Sequence, residues 1–349
     1  MPADGALGRP ARDRRRLLQA LPGLLRAPAL PGLLGLPALL AGCATPAGTA
    51  NAGAPQAVAP GVYLLPGGHG EIGPDNLGRI ANLAFIVGPK GVLAINSGVS
   101  HRHGQALLAA IRTVTPLPVR QLLLTHVRQE FLFGTSAFVE QGIPVLMHPA
   151  AARLMAARCE TCLKSLVRAL GPQEMAGSRV PQSPLTVDPA QPPGAGGSAV
   201  ADIGRPLRLL SAGPGGHSSG PGDLALLDEQ TGTLVAGGWI DARSIPDVQD
   251  AHWPGWREAL ALARSIAPRR VLPGHGPVGG PELIDGVLRY LAQLEQRTAE
   301  LLRAGVALSD VADRTDLPEF AGWDQYDTIH RRNAALVFLR QERALLQQP

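Results

Sequence analysis

Val119-Arg120-Gln121-Leu122-Leu123-Leu124-Thr125-His126-Val127-Arg128-Gln129-Glu130-Phe131 begins apolar, reaches a histidine and turns polar. Its first half reads as a buried strand, because three leucines follow one another without alternation and the run is short. Thr125 and His126 therefore stand at a strand end, where side chains leave the sheet and can do chemistry.

The flanking sequence repeats this alternation of short apolar strands and amphipathic helices. Upstream, Val62–Leu65, Ala84–Val87 and Val92–Ile95 are strand-like runs bounded by glycines, and Gly104–Thr113 has a helical pattern. Downstream, a strand over Pro144–Met147 precedes a long helix over Ala150–Leu170, closed by Gly171-Pro172. Pro181 to Gly197 is rich in Pro, Gly, Ala and Gln and reads as a surface excursion. Leu207–Ser211, Leu224–Asp228 and Thr233–Ala236 read as strands, followed by a helix over Trp256–Ala267 and a strand over Arg270–Leu272. That last strand leads into Pro273-Gly274-His275-Gly276-Pro277. Ile284, Val287, Leu288, Leu291, Leu294, Leu301 and Leu302 keep a 3.6-residue period, and Thr328–Leu346 can form another helix. The pattern predicts an α/β fold with short strands and no solenoid repeat.

Five landmarks occur in order: Ile95-Asn96-Ser97-Gly98, Thr125-His126 with the residues to Phe131, Gly216-His217-Ser218-Ser219, Val235-Ala236-Gly237-Gly238 and Pro273-Gly274-His275-Gly276. Together they resemble the metallo-β-lactamase superfamily, from about Val62 to the C-terminus. The nearest likeness is to a periplasmic branch of zinc metallohydrolases found alongside quinoprotein dehydrogenases. The resemblance implies an αββα four-layer sandwich with a metal site on loops at the sheet edges. Zinc in such a site takes imidazole and carboxylate ligands and lowers the pKa of a bound water to about 7.

On the positions that match the family pattern, His126 stands at the first histidine of the His-x-His-x-Asp-His loop, His217 at the later histidine and His275 at the last. Arg128, Glu130 and Phe131 replace the rest of the loop, Gly238 replaces the bridging aspartate and Asn96 the early one. The resemblance thus excludes the family's two-zinc site and leaves one zinc ion on His126, His217 and His275. Glu130 would be its fourth ligand or a general base. That reading makes the protein a mononuclear hydrolase of an ester, thioester or amide. Arg128 points elsewhere, because a fixed cation opposes a dication where water is excluded. Its planar fork suits a small anionic ligand in a metal-free pocket serving a periplasmic dehydrogenase system. A third reading is a lipoprotein that acts only through its surface. Asp241 is a replacement ligand candidate.

Charge separates the N-terminal segment from the rest of the 349-residue chain. Residues 1–42 hold six arginines against Asp4 and Asp13, while the remainder holds 26 basic and 26 acidic side chains. A neutral body has no electrostatic footprint for nucleic acid. Arg12 to Arg16, an apolar run and Leu39-Leu40-Ala41-Gly42-Cys43 occur in the order of a lipoprotein signal peptide, residues 1–43, with Cys43 as the lipidated residue. Arg14-Arg15-Arg16-Leu17-Leu18 also resembles a twin-arginine signal. Residues 44–60, rich in Ala, Pro and Gly, read as a tether, and residues 61–349 as the folded domain. The resemblance to lipoproteins implies periplasmic export, with Ala44 after the cysteine implying outer-membrane sorting.

Cys159 and Cys162 are the remaining cysteines. In an exported protein they read first as a local disulfide, then as free thiols and last as metal ligands. His148, His252 and His330 read as structural, the last sharing a helical face with Asn333. His101 and His103 read as solvated, His69 as a turn or cleft residue, and Trp253 with Trp256 as packing. No strand–nucleophile–helix elbow surrounds Ser218 and Ser219, and no Gly-Lys-Ser/Thr follows Gly67-Gly68-His69-Gly70, which excludes a serine hydrolase elbow and a P-loop.

Overall fold

A computed structural model describes residues 54–191 and 197–347. The signal sequence with Cys43, and residues 44–53 of the tether, lie outside the described residues. Two sheets carry the architecture. The first contains, in order, β1 (Gln56–Ala59), β2 (Val62–Leu65), β3 (Leu83–Gly88), β4 (Gly91–Ile95), β5 (Val119–Leu123), β6 (Val145–Met147) and β7 (Leu185–Thr186). Pairing is antiparallel through β4 and parallel from β4 to β7. The second contains β8 (Leu207–Leu210), β9 (Ala225–Asp228), β10 (Thr233–Gly237) and β11 (Arg270–Pro273), with only β10 and β11 parallel.

Strand alternation sorts the side chains into three apolar layers. On β4, Val92 and Ala94 face a core shared with α1 (His101–Val114), α2 (Gln129–Leu132), α3 (Thr135–Val139) and α4 (Pro149–Leu170). Leu93 and Ile95 face the other way, into a core with Leu224, Leu226, Val235 and Leu272 of the second sheet region. Leu227, Leu234 and Ala236 then point outward onto α5 (Trp253–Ile266) and α6 (Glu282–Arg303), with Ala334, Val337 and Phe338 of α8 (Arg331–Leu346). A short α7 (Leu308–Arg314) adds Val311 to the same layer. The αββα four-layer arrangement expected from the sequence is therefore present. Among the described residues no helix is long and apolar enough to cross a membrane.

Three local expectations change. β1 falls within the stretch read as tether: Pro60-Gly61 turns the chain so that Ala57 pairs with Tyr63 and Ala59 with Val62. Gly61 has φ 76, and a Cβ there would meet Arg205 Nη1 at 2.3 Å. The proline-rich excursion contributes β7 to the sheet edge. His101 and His103 lie in the first turn of α1 rather than before a helix, with Ser100 as its cap. His103 is buried, and burial with the nearby Arg79 charge holds its pKa down to about 3. His148 and His252 do act structurally, each accepting a backbone N–H at a helix start.

Candidate functional site

Two strand ends deliver the central residues. β4 ends at Asn96, whose φ of 59 turns the chain sharply, a conformation asparagine tolerates. Its Oδ1 accepts from the Thr125 backbone N–H and hydroxyl, both at 3.0 Å, tying the end of β4 to the residues after β5. With the Thr125 proton given to Asn96, His126 Nδ1–H donates to Thr125 Oγ1 at 2.7 Å. That bond sets the tautomer and leaves His126 Nε2 as an acceptor. Burial, then the charges of Arg128 and His275, push the His126 pKa well below its ordinary value, so the ring is neutral.

β11 delivers His275 to the same place. Its Nδ1 lies 2.8 Å from Asp241 Oδ1 and its Nε2 3.3 Å from Glu130 Oε1. Burial disfavours the imidazolium, but Asp241 outweighs it and Glu130 adds to the effect, so the pKa is raised to about 10. Glu130, in the first turn of α2, is buried; burial opposes its charge, yet the close contact with His275 and the Arg128 charge lower its pKa. His275 is thus an imidazolium clamped between two carboxylates.

Both rings border a cavity of about 520 Å³, together with Arg128, Asp223, Asp247 and Arg332. Arg128 is turned onto Asp247, with Nη1 3.0 Å from Oδ2 and Nη2 donating to the backbone carbonyl at 2.7 Å. Arg332 shares that carboxylate at 2.6 Å. Asp223 accepts from Ser218, Ser219 and the Gly220 N–H, but burial still raises its pKa to about 6.

His217 is not part of this group. Its Nε2 donates to the Asp250 carbonyl at 2.7 Å, and its ring centre lies 5.4 Å from that of His252. The structure brings His126, Arg128, Glu130 and His275 to the cavity and turns His217 onto backbone. Cys159 and Cys162 also border the cavity as free thiols, not joined in the local disulfide that the sequence reading placed first. His330 and Asn333 both bond the buried Tyr290 hydroxyl, at 3.1 and 3.0 Å, as structural residues.

These placements do not fit a zinc centre. Phe131 packs against both cavity histidines, its ring centre 4.3 Å from that of His126 and 5.1 Å from that of His275. Both nitrogens of His275 face carboxylates, and the third histidine is committed to a carbonyl. At Gly238, where the family carries its bridging aspartate, a Cβ would meet Ser219 Oγ at 2.7 Å and His126 at 3.1 Å. Among the described residues no group of three or more His, Cys, Asp or Glu side chains is arranged to hold a metal ion.

Sequence reasoning did not single out Asp223, Asp247 or Arg332. The Arg128–Asp247 pair spans 119 positions, and nothing in local spacing marks it. Asp241 had a signal, three residues past Gly238, but was weighed as a metal ligand rather than as the partner of His275.

No family model matches the chain, and neither does any curated protein. Solved structures do. One is the metallo-β-lactamase FIM-1 from Pseudomonas aeruginosa in its mono-zinc form, with TM-score 0.50, 18% identity, and 68% of this chain and 94% of that one covered. A metallo-β-lactamase from Hirschia baltica gives TM-score 0.50 and 16% identity over 68% of this chain and 96% of the other. TMB-1 gives 0.51 and 12% over 68% and 96%. At such low identity the likeness is one of backbone, and with the two sheets and flanking helices it shows that this chain has the metallo-β-lactamase fold.

Proposed function

We propose that this protein keeps the metallo-β-lactamase fold and uses its cavity to bind a small molecule without a resident metal. The observation that supports this most is the placement of His275 between two carboxylates, its ring nitrogens 2.8 Å from Asp241 and 3.3 Å from Glu130, which favours a cation in place of a metal ligand. Six carboxylates border the cavity, on Glu71, Glu130, Asp223, Asp241, Asp247 and Asp250, against three arginines and His275. The surplus favours a small organic cation over the anion suggested by Arg128, which spends two donors on Asp247. The neutral His126 offers an acceptor for such a ligand.

Matched four-carbon probes test this on protein dialysed against chelator. Putrescine is expected to raise the melting temperature and succinate to leave it unchanged. At a hundredfold excess over Kd the stabilisation is about 2.7 kcal/mol. Stoichiometric zinc uptake, with ester turnover lost in Glu130→Gln and His275→Ala, would overturn the proposal in favour of a mononuclear zinc hydrolase.

The proposal includes export as a periplasmic lipoprotein, on the strength of the basic stretch and Leu39-Leu40-Ala41-Gly42-Cys43, and service to a dehydrogenase system, on the resemblance of the sequence landmarks to the branch found alongside such enzymes. Labelled palmitate should enter the wild type and not Cys43→Ala, which should leave the membrane fraction. Equal labelling of the two would refute lipidation at this cysteine.

A further inference from the structure

The α4 wall of the cavity carries a pair of groups that the ligand-binding reading does not use. Leu154, Arg158 and Cys162 recur at four-residue spacing along one helical face and border the cavity, with Cys159 beside them. Cys159 is 1% exposed and packs in the apolar core under the first sheet, whereas Cys162 is half-buried. The two thiols are therefore unequal: one is accessible and the other is shielded behind it.

Helix geometry brings them within bonding reach. Residues three apart have Cα atoms about 5 Å from each other, given a 1.5 Å rise and a 2.3 Å radius. That lies inside the 4.4–6.8 Å Cα range spanned by disulfides, and the Cβ atoms, about 5–6 Å apart in a regular helix, come to the required 3.5–4.5 Å when this turn tightens. Cys162 is the more open of the two, and its interaction with the neighbouring Cys159 thiol, with a small contribution from the Arg158 charge, lowers its pKa to about 7 although burial opposes it. Cys159 is shifted the opposite way, by the same interaction and by burial. An attacking thiol with a shielded partner is the arrangement needed for exchange with a disulfide.

We propose that Cys162 and Cys159 form a redox-active dithiol that reduces small organic disulfides admitted to the cavity. The Cys162 thiolate attacks one sulfur of R–S–S–R, forming a mixed disulfide and expelling R–S⁻. That thiolate takes the Cys159 proton and leaves as R–SH. The Cys159 sulfur then attacks the Cys162 sulfur, closing the intrahelical disulfide, and the second R–S⁻ leaves and takes a proton from water. Two electrons pass from the protein to the small disulfide, and two R–SH molecules result. The exchange is carried by the two thiols of α4, while admission of the small disulfide uses the same cavity.

Cystamine, a small disulfide, is the probe, mixed without oxygen with the reduced full-length protein. Peptide mapping separates Cys43 from the pair. The wild type is expected to release two cysteamines per chain and to end with Cys159 bonded to Cys162. Its rate at pH 7 should exceed that of a free thiol of pKa about 8.5 by about threefold, from its larger thiolate fraction less the lower nucleophilicity of a weaker base. Cys159→Ser should stop at a cysteamine adduct on Cys162, and Cys162→Ser should react at least ~10-fold more slowly than the wild type. Insulin, whose disulfides cannot enter a cavity of about 520 Å³, should remain unreduced. A wild type that stays a dithiol, stops at the mixed adduct or reduces insulin as fast as cystamine overturns the proposal. So does a Cys162→Ser variant that keeps the wild-type rate.

Discussion

Replacing His275 by alanine is expected to destabilise the fold by about 3–5 kcal/mol, because it strips the shared cation from two buried carboxylates. Glu130 and Asp241 would both lose the ring they now contact, leaving Arg128 as the nearest charge for either. In a body of this size the melting temperature should fall by about 6–12 °C. The wild type adds a pH signature. The folded pKa of His275 is about 10, above its ordinary 6.5. Its contribution is complete below about pH 6.5, declines as pH rises and is gone above about 10. Thermal melts across that window should show a steady loss in the wild type and a flatter curve in His275→Ala. Equal slopes would mean that the ring is not an imidazolium.

Arg205→Ala should cost a comparable amount for a different reason. Asp228 is fully buried and receives the Arg205 Nε and Nη2, each at 2.6 Å. The same guanidinium donates to the Val87 carbonyl at 3.2 Å and the Pro60 carbonyl at 2.7 Å, joining β9 of one sheet to the edge of the other. Its loss leaves a buried carboxylate held only by Thr231 and two carbonyls without their donor, an expected cost of about 3–5 kcal/mol. Removing both charges tests the account, because a buried pair exchanged for packed apolar side chains is often neutral or better. Arg205→Met combined with Asp228→Leu should therefore unfold at higher denaturant concentration than Arg205→Ala alone. A double variant weaker than the single one would refute it.

The sequence reveals the fold more fully than the site. Strands such as Val92–Ile95 and Leu224–Asp228 are legible because burial on both faces demands continuous apolar runs, and His126 and His275 follow closely on two others, β5 and β11. What happens past those ends depends on partners far away in the chain. The sequence resemblance matches His217 to the family's later histidine, yet its ring turns to the Asp250 carbonyl, 33 residues on, and no periodicity signals that rotation. Arg128 offered a free fork on paper, but Asp247 claims it. The tether boundary failed for a local reason: Gln56–Ala59 is too short and too small-sided to stand out from an Ala/Pro-rich run, and pairing with β2 alone makes it a strand. His103 read as solvated because its helix was placed three residues late, and a first-turn position carries it inward.

The rim of the cavity is tied across nearly the whole chain. Asp324 accepts the Gly70 N–H through both oxygens, at 2.9 and 3.1 Å, across 254 positions, and Gln325 donates to the Gly70 carbonyl at 2.7 Å. Such a contact cannot form until the chain has emerged as far as Asp324, well past the last strand, so the sheets can pair before the opening takes its final shape. The pocket then matures after the sheets, and a chain stalled short of Asp324 would hold both sheets while presenting an unfinished mouth.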